Sequence, residues 1–218
     1  MPAEPGLPPL VRGAVRVGRA GASIIARRAF DLHVEGRERL PSGPFVLAGN
    51  HYSHLDPPIG YVAVGRPIRY LAVDEIYGLS NAFDRLLLFF GTIPMSRRRA
   101  PLGALRVALE HLDAGGIVGL FPEGKRVTTW GDEEPRRGAA WLSLGSGAPV
   151  VPIAVSGTDE AFGVEASRIS RAPVRVRFGT AIRPESFIDH VDPIGAMTGE
   201  WRGQIESLID VRYALADS

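Results

Sequence analysis

Residues 45–65 read FVLAGNHYSHLDPPIGYVAVG, and their rhythm changes halfway along. Phe45 to His51 is a short apolar run behind a Pro-Ser-Gly-Pro turn, the pattern of a buried strand. At Asp56 the pattern becomes helical. Aspartate is a preferred cap, and Pro57 suits the first helical position because the N–H it lacks would have no partner there. His51 therefore falls at a strand-to-helix junction, on the carboxyl end of its strand, which is where open α/β sheets bind ligands.

Strands and helices go on alternating beyond this unit. Ile68 to Val73 reads as a strand and Asn81 to Phe90 as a helix. Pro101 to Asp113 reads as a helix with Leu102, Leu105, Leu109 and Leu112 on one stripe, stopped by Gly115 and Gly116. Ile117 to Phe121 is a third strand, Arg136 to Leu144 a helix, and Val150 to Val155 a buried strand. Val174 to Phe178 alternates as a strand does, and Ile194 to Tyr213 closes the chain with an amphipathic helix using Met197, Trp201, Ile205 and Leu208. This order implies an α/β fold: a single-domain sandwich with a mostly parallel or mixed central sheet flanked by helices, over residues 37–218. Residues 1–36 form a separate basic amphipathic arm. Within it, Val11 to Phe30 reads as a helix with Val11, Val15, Ala22, Ile25 and Ala29 toward one side and arginines around the rest. Such a helix packs on the domain or lies on anionic lipid, and both placements stay open.

Composition narrows the function. The 218 residues suit one core, and 45% hydrophobic with 22% charged residues is ordinary globular usage. There is no cysteine, which removes thiol nucleophiles, thiolate metal sites and disulfides together and fits a reducing cytoplasmic setting. Any nucleophile is oxygen or nitrogen, and no metal site is expected. The net charge of +1 argues against general nucleic-acid binding, yet residues 1–30 hold five arginines against Glu4, a local charge of +4. Lys125 is the only lysine among 25 basic residues, a bias we ascribe to a GC-rich, bacterial coding genome. The opening MPAEPGLPPL lacks the basic segment and apolar run of an export signal. The longest uncharged run, Gly138 to Thr158, is as long as a membrane span, but Gly145, Gly147, Pro149 and Pro152 would break a helix in mid-bilayer. No transmembrane helix is expected.

Each candidate motif has a plain structural reading beside its chemical one. A histidine followed by an aspartate is more often structural, but at a strand end His51 can act as a base whose tautomer Asp56 holds and whose cation it stabilises. His54, two residues from Asp56, reads as a polar loop residue, and Asn50 and Ser53 as loop hydrogen-bonders. No Gly-x-Ser-x-Gly elbow is present, so the simplest task for His51 is to deprotonate a bound hydroxyl directly, which favours a transferase over a hydrolase. GTIPMSRRR places Arg97, Arg98 and Arg99 after a short extended segment. Such a run is usually solvated surface, but arginines at a cleft mouth bind phosphate bidentately. FPEGKR puts Glu123 at a strand end and lets the backbone approach closely at Gly124, or is a charged turn. GAPVVPIAVSG reads as a core strand with an edge proline, Pro152.

Together, NHYSHLD (50–56), GTIPMSR (91–97), FPEGKR (121–126) and VPIAVSG (151–157), in this order and at these separations, resemble the four-block signature of the glycerolipid acyltransferases, the 1-acylglycerol-3-phosphate acyltransferase group. The resemblance implies that His51 is the base and Asp56 its orienting partner. It implies phosphate binding by Arg97 and Arg126, acceptor positioning by Glu123 and Gly124, and a place for Pro152 in the acyl-binding wall. The family usually has Thr or Ser after Pro-Glu-Gly; here Lys125 stands there and adds positive charge to the acceptor site. The expected reaction moves a fatty acyl group from acyl-CoA or acyl carrier protein to a hydroxyl of lysophosphatidic acid or a related glycerol phosphate in phospholipid synthesis, without a cofactor. It would run on an anionic membrane surface, peripherally, at the cytoplasmic face. A thioesterase would leave Arg97 and Glu123 without a task, and a non-catalytic lipid-binding protein would leave the pairing of His51 with Asp56 unexplained.

Overall fold

The computed structural model describes residues 27–73, 91–96 and 102–214. The arm before residue 27, the helix expected at Asn81 to Phe90, and Arg97 to Arg99 lie outside them. Among the described residues there are seven strands: β1 (His33–Glu35), β2 (Phe45–Gly49), β3 (Arg69–Val73), β4 (Ile93–Met95), β5 (Ile117–Leu120), β6 (Val150–Ser156) and β7 (Arg175–Phe178). They form one sheet in the order β1-β7-β6-β2-β5-β3-β4. The run β6-β2-β5-β3-β4 is parallel. β7 is antiparallel to β6 and parallel to β1, so the sheet is mixed. β2, β5 and β6 are fully buried along their length, as their unbroken apolar runs require.

The helices are α1 (Asp56–Val64), α2 (Leu102–Asp113), α3 (Gly138–Ser146), α4 (Thr158–Phe162) and α5 (Pro193–Ala214). Alternate residues of each strand feed two apolar clusters, one on each face. Val46, Ala48, Val118, Val150 and Ala154 join α2, α3 and α5, whereas Phe45, Leu47, Ile117, Val151, Ile153 and Val155 join α1. On α5, Met197, Trp201, Ile205 and Ile209 are buried at the four-residue spacing of one helix face. Trp201 is the largest side chain so enclosed, and its indole N–H donates to the Ala48 carbonyl of the central strand at 2.9 Å.

Several local expectations change. The buried stripe of α2 is Ala104, Ala108 and Leu112, with Leu105 and Leu109 half-buried beside it and Leu102 exposed. The small Ala104 and Ala108 take the buried positions beside Leu112, and of the expected leucines only Leu102 is turned to solvent. Asp56 does not cap α1; Leu55 occupies that position without a side-chain cap, and the carboxylate turns back to the preceding loop. β6 lies inside the sheet, not at its edge. Pro152 is tolerated there because the β6 ladder with β7 begins only at Ile153, so the missing N–H falls outside it.

Candidate active site

β2, β5 and β6 are neighbours and parallel, so their carboxyl ends open on one edge of the sheet. The loop after β2 carries His51 and leads into Asp56, the first residue of α1; the loop after β5 carries Phe121 to Arg126, and β6 runs into Thr158. Motifs distant in sequence are thereby brought together by strand order.

Asp56 is fully buried, and four donors surround it. Its Oδ2 accepts from His51 Nδ1 at 2.9 Å, from the Tyr52 N–H at 2.8 Å and from the Ser53 N–H at 2.7 Å. Its Oδ1 accepts from the Thr158 hydroxyl at 2.6 Å. A carboxylate so surrounded is an acceptor only, so the imidazole presents N–H at Nδ1 and keeps the Nε2 lone pair for a substrate proton. The His51 side chain is 16% exposed, enough for one edge to meet a ligand.

The ring plane is fixed as well. His51 stacks on Phe121 with centroids 4.0 Å apart and planes 13° from parallel, and Phe121 stacks in turn on Tyr70 at 5.7 Å. The Tyr70 ring fits because position 119 is glycine: a Cβ there would come within 2.5 Å of it. Burial and the nearby Asp56 charge hold the Tyr70 phenol far above its ordinary pKa, so it stays neutral. The Val127 N–H donates to the His51 carbonyl at 2.9 Å, tying the loop after β5 to the loop after β2.

Glu123 is 3% exposed, and neither carboxyl oxygen has a hydrogen-bond partner among the described residues. Burial pushes its pKa up to about 8, and Asp56 pushes the same way. The His51 backbone N–H works against them, facing the carboxyl without reaching hydrogen-bond geometry. At neutral pH Glu123 is thus mainly a neutral acid beside the base. A group that ionises near 8 in the fold and near 4.5 when unfolded holds its proton longer in the fold. The fold is unpenalised below about pH 4.5, loses stability as pH rises, and carries the full penalty above about 8. Glu123→Gln is expected to flatten that decline, which spans about 3–5 kcal/mol at most. Denaturant unfolding from pH 5 to 8.5 checks this, and an unchanged slope would remove Glu123 as its source.

The remaining expected residues separate. Arg126 lies close enough for its guanidinium to depress the pKa of His54, after burial and ahead of His51. Gly124 takes φ 74°, a left-handed turn that an L side chain rarely adopts, and a Cβ would meet the Arg136 guanidinium at 2.6 Å. Lys125 is exposed and paired with Glu133 at 2.7 Å, directed to its own loop. The structure does not bring Pro152 to His51. The proline packs against Gly179 on the face shared by Val150 and Ala154, whereas Gly49, before His51, faces Ile153 and Phe121. Asn50 and Ser53 are hydrogen-bonders, as expected. Asn50 exchanges two bonds with the Val155 backbone at 2.8 and 2.7 Å, and the Ser53 hydroxyl donates to the Phe162 carbonyl at 2.6 Å. Sequence reasoning missed Phe121 and Thr158. Each adjoins or lies within a recognised block, but nothing local marks its contact with the dyad.

A His-Asp pair at the carboxyl edge of this sheet defines a class. Residues 31–156 match the family model described as Acyltransferase, and the chain belongs to that family. It is similar to a chloroplast 1-acyl-sn-glycerol-3-phosphate acyltransferase of Arabidopsis thaliana, 28% identical over 146 residues that cover 65% of this chain and 40% of that one. The 1-acyl-sn-glycerol-3-phosphate acyltransferase of Bacillus subtilis (strain 168) is 29% identical over 126 residues, covering 57% and 62%. The chain thus matches less than two thirds of the length of either relative. The fold is that of the crystal structure of the 1-acyl-sn-glycerophosphate (LPA) acyltransferase PlsC from Thermotoga maritima, with a TM-score of 0.67 and 23% identity over 90% of this chain and 82% of that one.

Proposed function

We propose that the protein transfers a fatty acyl group from an acyl-CoA or acyl carrier protein thioester to the free hydroxyl of lysophosphatidic acid or a related glycerol phosphate. The carrying observation is the His51–Asp56 bond at 2.9 Å, with Nδ1 engaged and Nε2 left as the base. The acceptor hydroxyl gives its proton to Nε2 while its oxygen attacks the thioester carbonyl. The tetrahedral intermediate collapses, the C–S bond breaks, and the imidazolium returns the proton to the departing thiolate. Asp56 stabilises that imidazolium throughout.

Arg97 and Arg126 bind the acceptor phosphate in this reading. The site end of the loop after β5 carries Arg126, and β4, which precedes Arg97, ends at Met95 on the same sheet edge. Glu123 and Gly124 position the glycerol part. The reaction runs on an anionic membrane surface at its cytoplasmic face, held by the basic residues 1–30; the arm expected over 1–36 ends earlier, because His33–Glu35 pair with β7 as a strand of the sheet. Each arginine near such a surface contributes about 1 kcal/mol and is screened by salt. Among the described residues no helix is long and apolar enough to cross a membrane.

The test is thiol release from acyl-CoA with and without vesicle-borne lysophosphatidic acid, at low and high salt. Release that depends on the acceptor and weakens with salt is expected. Arg126→Ala should reduce acceptor efficiency about 10- to 100-fold, the worth of a charge-assisted hydrogen bond. Release without acceptor would make the protein a thioesterase, and no release under either condition a lipid binder. Equal efficiency on monoacylglycerol would remove the phosphate from recognition.

A further inference from the structure

We infer that Thr158 is a positioning residue for the His51–Asp56 pair, acting through the second oxygen of the carboxylate. Its hydroxyl and the Asp56 carboxylate are both fully buried, and the bond between them crosses 102 residues of sequence to join the end of the loop after β2, where α1 begins, with the first residue of α4. Three links stitch these two segments together. Asn50 binds the Val155 backbone, Ser53 binds the Phe162 carbonyl, and Thr158 binds Asp56. The first two end on main chain and hold the loops. The third ends on the group that orients the base.

The geometry gives that third link a distinct task. Oδ2 already receives His51 Nδ1 and two backbone N–H groups from a single loop. All three bonds end on Oδ2, and none of them holds Oδ1. A donor on Oδ1, delivered by the first residue of α4, fixes the carboxylate plane and so the line along which Nδ1–H and the opposite Nε2 lie. The inference rests on the transferase reading for its kinetic part only.

The experiment compares Thr158→Val, which removes the hydroxyl at nearly constant volume, with Thr158→Ser, which keeps it. In the acceptor-dependent assay Thr158→Val should lower kcat about 10- to 100-fold with KM for both substrates little changed, as is usual when an outer partner of a reacting group is lost. Thr158→Ser should stay within about threefold of the native rate. A second readout needs no turnover. The downfield proton resonance of His51 Nδ1–H, assigned by its disappearance in His51→Ala, should be weakened by exchange in Thr158→Val and retained in Thr158→Ser. If the native protein shows no acyl transfer, the functional reading fails while the resonance still decides the role of Thr158. If Thr158→Val does not fold, Thr158→Ala against Thr158→Ser makes the same comparison. An unchanged resonance and rate in the hydroxyl-free variant, or equal losses in the serine variant, would overturn the inference by assigning Thr158 to packing alone.

Discussion

His51→Ala is expected to abolish acyl transfer while leaving the fold in place. Removal of a general base typically lowers a rate by about 10²- to 10⁴-fold. Neither neighbouring carboxyl group replaces Nε2: Asp56 is buried behind the imidazole, and burial holds Glu123 mainly as a neutral acid. The fold tolerates the change because the ring sits at the end of β2 and is partly exposed, and Asp56 Oδ2 keeps the Tyr52 and Ser53 N–H groups when Nδ1 is gone. What is lost is one hydrogen bond and the stack on Phe121, together about 1–3 kcal/mol. His54→Ala is the control. Its ring lies 6.4 Å from Phe162, in a tilted contact at the rim, so its loss should cost far less activity. The pair is read by initial rates on lysophosphatidic acid beside far-ultraviolet circular dichroism. Equal inactivity in two folded variants, or most of the rate surviving in His51→Ala, would contradict the assignment.

Sequence made the frame of this site legible because buried parallel strands announce themselves. FVLAG, IVGL and VVPIAVS are continuous apolar runs bounded by Gly, Pro and polar residues, and each became a fully buried strand. What failed to show was whatever depends on contacts between elements. β1 is three residues long with an exposed residue at each end, too short for an alternation to register. The leucine stripe of α2 misled because closeness to the sheet favours the smaller Ala104 and Ala108 over Leu102. Lys125 carried charge into an expected acceptor site, yet Glu133, a few residues on, holds it at the surface. Asp56 offered a helix cap by its position, but the N–H groups of its own loop, His51 and Thr158 compete for the same oxygens and win. A carboxylate that satisfies four donors gains more than one that caps a single turn.

That competition makes Asp56 the residue at which activity and stability should separate by substitution. Asp56→Asn keeps the shape: the amide oxygen can accept from the Tyr52 and Ser53 N–H groups and from His51, while the amide NH₂ donates to Thr158, whose hydroxyl turns to accept. The fold should therefore survive with a loss of about 1–2 kcal/mol, because charge-assisted bonds become neutral ones. The rate should still fall about 10²- to 10⁴-fold, since a neutral amide cannot stabilise the imidazolium that forms as the hydroxyl proton is taken. Asp56→Ala removes the acceptor altogether and strands buried donors, each costing about 1–3 kcal/mol, so it should be both inactive and several kcal/mol less stable. Guanidinium unfolding and acyl-transfer rates on the two variants give the comparison. An Asn variant that works within tenfold of the native rate would mean the charge of Asp56 is dispensable, and an Ala variant as stable as the native chain would mean that the four hydrogen bonds do not hold this loop together.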